Sequence, residues 1–91
     1  MKRDMIGKFQ VKKETHVFHF SREEYNNLIA AELLRRRTLI EIVKNNTHAA
    51  DQMKKELEVK ISSTIGQRRF TQLKNSLKAN SVELVNVTIY L

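Results

Sequence analysis

The chain has 91 residues, 17 Lys and Arg against 10 Asp and Glu, a formal net charge of +7 and a pI near 10. With 41% hydrophobic and 30% charged residues it reads as one folded domain, residues 1–91, rather than a disordered segment. Cysteine is absent, which excludes a disulfide framework, a thiolate zinc site and a cysteine nucleophile.

Residues 1–10 begin basic but lack the apolar run of a signal peptide, and no stretch approaches the roughly 20 apolar residues of a membrane span. The expectation is a cytoplasmic protein with no membrane partner. In the first twenty residues Phe9 and Val11 share one alternation phase, whereas Phe18 and Phe20 share the other. A single flat strand would point these pairs to opposite faces. A turn or bulge around Lys12, Lys13, Glu14 and Thr15 resolves the conflict and predicts a β-hairpin or bent strand.

Ser21-Arg22-Glu23-Glu24 is a capping box, so a helix starts there. Tyr25, Leu28, Ile29, Leu33, Ile40 and Val43 recur mainly at spacings of three and four, with Glu32 and Arg36 interrupting the stripe. The apolar surface widens around Leu33, Leu34 and Leu39, which predicts burial on more than one side. Asn45 and Asn46 suit the helix end, and Thr47 can cap a second helix.

Two periods overlap in the next segment. Met53, Leu57, Ile61 and Ile65 are spaced by four, as in a helix, while Leu57, Val59 and Ile61 alternate with Glu58 and Lys60, as in a strand. No turn residue separates the two patterns, so a helix over about residues 48–63 is preferred; the strand alternative would make the last third strand, helix, strand. Gly66 then punctuates the chain before residues 67–79, where Phe70, Leu73 and Leu77 form a narrow apolar stripe ended by Asn80 and Ser81. Residues 82–91 alternate, with Val85, Val87, Ile89 and Leu91 on one face, and predict a strand. The fold class is a small single-domain α+β protein: an N-terminal hairpin or bent strand, two to three helices, and a C-terminal strand completing a small sheet. Its core would join Val85, Val87, Ile89 and Leu91 to stripes led by Leu28, Leu33, Phe70, Leu73 and Leu77.

A basic balance of this size favours polyanion partners. Residues 67–79 contain Arg68, Arg69, Lys74 and Lys78 and no carboxylate. Such cations bind phosphate by releasing condensed counterions, with little base specificity. Arg35, Arg36 and Arg37 fan over about 200 degrees of a helix and cannot share a face. Glu32 can pair with Arg36 and Glu41 with Arg37, which leaves Arg35 the freest of the three. Lys12 and Lys13 belong to a further cluster with Lys2, Arg3 and Lys8. The expected nucleic-acid-binding residues are therefore Arg68, Arg69, Lys74, Lys78, Lys12, Lys13 and Arg35. Equally ordinary roles exist for all of them, as the solvated flank of a helix or as charge that protects a strand edge.

No cofactor or metal site is expected. His16 and His19 lie three apart in a strand and point to opposite faces, and His48 is distant. Glu23 and Glu24 read as helix-start charge, no glycine-rich phosphate loop is present, and among the aromatic residues only Tyr90 lies on a polar strand face. The chain is read as a non-enzyme: a small nucleic-acid-associated protein binding backbone phosphate, DNA or RNA, through a basic amphipathic helix. The alternative is a non-catalytic protein-interaction module, an adaptor or inhibitor subunit of a larger complex, with a protein partner or a second copy of itself.

Residues 16–20, followed by Ser21-Arg22-Glu23-Glu24 and the helical run to Val43, resemble the ribbon-helix-helix DNA-binding family over about a third of the chain. The resemblance implies a strand that pairs with a second chain and presents Thr15, Val17 and His19 to the major groove. That family turns between its two helices, whereas residues 33–38 here read as unbroken helix.

Overall fold

The two apolar phases of the N-terminal segment become the inner face of a hairpin in the computed structural model, which describes residues 5–91. Strand β1 (Met5–Val11) pairs antiparallel with β2 (Glu14–Phe20), setting Phe9 against His16 and Gly7 against Phe18. The turn between them is Lys12-Lys13, with Lys12 in the left-handed region at φ 52. A short strand β3 (Thr88–Tyr90) pairs with the other edge of β1, giving the order β2-β1-β3. The outer face of this sheet is open: Ile6, Val17 and Tyr90 are exposed, and Lys8 lies between Val17 and Tyr90 in one cross-strand row.

The capping box forms as read. Ser21 Oγ accepts from the Glu24 amide, Glu24 accepts from the Ser21 amide, and helix α1 (Arg22–Val43) follows. Asn45, at φ 61, carries the chain out of it, a conformation asparagine tolerates well. Helix α2 (Thr47–Asn80) starts with Asn46 at its N-cap rather than Thr47, and the Asn46 side chain donates instead to Glu41 at 3.0 Å.

Residues 56–62 are helical, the first of the two readings of that segment. As expected, Gly66 separates two helical stretches: within the span Thr47–Asn80 they meet at a kink at that residue, where the backbone is non-helical with φ 84 and ψ 161. Those angles are open to glycine almost alone. The kink turns the last part of α2 across the sheet, so that Phe70, Leu73 and Leu77 meet Phe9, Val11 and Phe20 in a single core with Leu28, Leu57, Ile61 and Ile65. Replacing Gly66 by alanine should therefore cost about 1–3 kcal/mol in backbone strain, even though nothing lies within 4 Å of the added methyl. Urea unfolding measures this, and an unchanged midpoint would mean the kink can relax at no cost.

Helix α2 ends on Ser81 at φ 53, with the Val82 amide donating back to the Leu77 carbonyl at 2.9 Å. The strand expected over 82–91 is confined to three residues, because the chain makes a 3-10 turn at Leu84–Asn86 first. Val85, Val87 and Ile89 still point inward, but Leu91 is exposed. Leu33 departs from its expected place too. The inward face of α1 carries Leu28, Ala31 and Thr38, and Leu33 is half exposed on another side. The ribbon-helix-helix arrangement is absent: β2 pairs with β1 of the same chain and α1 runs unbroken through residues 33–38, although Thr15, Val17 and His19 do share the outer sheet face.

Candidate interaction surfaces

Two of the seven expected phosphate-binding residues are part of the framework. Arg69 sits just beyond the kink, where its Nε donates to the Ile65 carbonyl. Its Nη1 donates to the His19 carbonyl at 2.8 Å and its Nη2 to Glu24 at 2.8 Å, while the guanidinium lies 4.9 Å from the centre of the Phe20 ring. One side chain thus ties α2 to the end of β2 and the first turn of α1. Only about a quarter of it is exposed, 27%.

Arg35, expected to be the freest of its run, is the most tightly held. Its guanidinium forms a fork on the Glu32 carboxylate, including an Nη2 bond of 3.0 Å, and Nη1 donates to the Val85 carbonyl at 2.9 Å. The side chains of Arg35 and Glu32 are only 11% and 10% exposed. Arg36 adds a longer contact of 3.3 Å to the same carboxylate from the solvent side. Arg37 makes no ion pair with Glu41, whose partner is Asn46.

Lys74 is half committed. Its Nζ is 3.5 Å from Glu58 and 5.6 Å from the centre of the Phe70 ring, at the rim of a cavity of about 320 Å³ inside the kink. Lys54 and Glu83, 3.6 Å apart, line the same cavity. Arg68, Lys78, Lys12 and Lys13 are exposed, and among the described residues none of the four forms an ion pair. Glu14 docks the hairpin turn on the last turns of α2 by accepting from Ser76, which brings the segment holding Lys12 and Lys13 beside the segment holding Lys78. Arg68 lies ten residues earlier on α2, about 15 Å along the helix axis.

Both docking carboxylates titrate low. The Ser76 hydroxyl, then Asn80 and the nearby His16, hold the Glu14 carboxyl below the usual range. For Glu24 the Ser21 amide contributes most, followed among the favourable effects by Arg69; burial opposes the shift at both sites. A carboxyl with a lowered folded pKa stabilises the fold above its unfolded value, about 4.3, and that stabilisation is lost as the pH falls through the folded value. The melting temperature should accordingly fall as the pH drops below about 4.3, and less so in Glu24→Gln. An equal acid response in wild type and variant would contradict this origin.

The conspicuous feature that charge does not explain lies on α1. Ile29, Leu33, Ile40 and Val43 are 42%, 51%, 52% and 83% exposed. Their positions, with Arg36 between Leu33 and Ile40, follow spacings of four, three, four and three residues and make one helical row, apolar except at Arg36 and turned away from the chain's own core. Beside it, Leu34 on α1 and the exposed Val59 on α2 line an open groove with Lys55, Glu56 and Lys60. The sequence did carry this signal, because the stripe residues stand at helical spacing, but it did not separate the stripe from the buried face next to it.

Among the described residues no group of three or more His, Cys, Asp or Glu side chains is placed to hold a metal ion, and no helix is long and apolar enough to cross a membrane. The imidazole Nε2 of His16 is buried 3.5 Å from Glu14 and has no hydrogen-bond partner among the described residues. No protein-family model matches the sequence, and no curated protein or solved structure matches the chain.

Proposed function

We propose that this chain is a non-catalytic protein-interaction module that binds its partner through the exposed apolar stripe of α1. The observation that carries the reading is the exposure of Ile29, Leu33, Ile40 and Val43 along one face of a helix whose other face is already packed. A row of exposed apolar side chains along one helix face, here broken only by Arg36, marks an interaction surface more often than an isolated leucine does. Fully burying one such side chain stabilises a complex by about 1.5–3 kcal/mol, so four half-exposed ones supply roughly 4 kcal/mol before the cost of association. A cytoplasmic setting is consistent with a chain that has no cysteine.

A second reading, binding of nucleic-acid backbone phosphate, is favoured by the four cations Arg68, Lys78, Lys12 and Lys13, which have no ion-pair partner among the described residues. Salt separates the two, because contacts between exposed charges are largely screened at about 0.5 M while apolar docking survives. Native complexes are isolated after nuclease treatment at that salt, with wild type, Leu33→Asp/Ile40→Asp, and the charge reversal of the four cations to Glu. The interaction reading expects one stoichiometric protein with wild type and with the charge reversal, and none with the stripe variant. Retention of nucleic acid at low salt that only the charge reversal abolishes would establish the second reading instead.

A further inference from the structure

The chemistry of the α1 docking surface, on whose assignment this inference rests, is set by the charges around it. Arg36 stands in the middle of the stripe and is 69% exposed. Arg37 and Lys44 are exposed along the same helix and form no ion pair among the described residues. Across the adjoining groove, Lys55 and Lys60 flank Val59. The carboxylates on this side are Glu23 in the first turn of α1, Glu41 about five turns further along the same row, which accepts from Asn46, and Glu56 on the wall of the groove. Glu32 is buried beneath Arg35 and Arg36. Cations therefore outnumber the exposed acids around the apolar seam.

A second copy of this chain is poorly suited to cover it. Pairing the α1 stripe with its own copy antiparallel about the centre of the stripe places Arg36 against Arg36, and parallel pairing in register does the same. Like charges so juxtaposed oppose association. A complementary occupant needs apolar side chains at spacings of three and four, with carboxylates on both flanks and opposite Arg36. We infer that the partner docks an acidic amphipathic helix on α1, its apolar seam on Ile29, Leu33, Ile40 and Val43 and its carboxylates facing Arg36, Arg37 and Lys44.

Two synthetic helical peptides of about three heptads test this directly. They share one leucine seam and differ only in carrying Glu or Lys at the flanking positions. Their binding to the full chain is followed by fluorescence anisotropy at about 0.1 M salt, where charge selectivity is retained. The acidic peptide should bind at least about tenfold more tightly than the basic one. Leu33→Ser/Ile40→Ser should weaken it by about tenfold or more, and Arg37→Glu/Lys44→Glu should reverse the preference. All four positions are outside the core, so both variants should retain the wild-type helical circular dichroism. Equal affinity for the two peptides, lost in the serine variant, would refute the acidic partner while leaving the docking surface in place. A dimer in sedimentation equilibrium that the serine variant dissociates would refute it in favour of a second copy. A monomer that binds neither peptide would overturn the docking surface itself.

Discussion

Arg35→Met should lower the unfolding free energy by about 3 kcal/mol, the scale for removing one partner of a buried ion pair. Glu32 is 8% exposed, and the substitution leaves it only the longer 3.3 Å contact with Arg36. The Val85 carbonyl loses its side-chain donor in the same step, and that bond adds to the apolar packing that holds α1 against the C-terminal segment. For a domain of this size the melting temperature should fall by roughly 15 °C. Arg37→Met, two residues along the same helix, should change stability by no more than about 0.5 kcal/mol because its side chain is exposed and has no ion-pair partner among the described residues. Urea denaturation of the two variants decides the matter. Equal, small losses would show that the Glu32 carboxylate is adequately solvated without Arg35.

Arg69→Met should cost about 2 kcal/mol, somewhat less than Arg35 because the pair with Glu24 retains partial access to solvent. Three acceptors on three elements lose their donor together: the Ile65 carbonyl at the kink, the His19 carbonyl at the end of β2, and Glu24 in the capping box. Arg68→Met is the natural control, since Arg68 is exposed and has no ion-pair partner among the described residues. Hydrogen exchange should show faster opening at the junction of β2, α1 and α2 in the Arg69 variant alone. Indistinguishable exchange in the two variants would remove Arg69 from the framework. The contrast also bears on binding assays, because a joint charge reversal of Arg68 and Arg69 loosens this junction and cannot report on surface charge by itself.

Elements set by short-range chemistry were legible in the sequence. The parity conflict between Phe9 and Phe18 called for a turn or bulge near Lys12 and Lys13, which the structure makes as a hairpin turn, Ser21 and Glu24 marked the start of α1, and Gly66 marked the kink. The helical reading of residues 56–62 also stood, because spacing by four let Leu57, Ile61 and Ile65 enter the core together. Features that depend on distant partners were not legible. Arg35 meets Val85 fifty residues away, and Arg69 meets His19 across the same separation. Within the arginine run, i, i+4 pairing alone left Arg35 free, whereas the i, i+3 fork on a buried Glu32 is what the fold uses. Alternation likewise overextended the last strand, since a 3-10 turn followed by an extended residue buries Val85 and Val87 as effectively as a strand does.

The same limit governs the candidate site. Leu28 and Leu33 both belong to apolar stripes at helical spacing, and only the positions of α2 and the sheet decide that Leu28 is buried and Leu33 is not. Charge counting was subject to it as well. Once Arg35 and Arg69 are assigned to the framework and Lys74 to Glu58 and Phe70, the basic helix over residues 67–79 offers a smaller polyanion surface than its composition implies.

A photoreactive aromatic residue placed at Leu33 tests the docking surface most directly, with a control at the exposed Thr71 on α2. After irradiation of cells producing each variant, position 33 should yield a covalent adduct with a single partner protein, and position 71 should yield none. No adduct at position 33, or equal adducts at both positions, would contradict a role for α1 as the binding surface.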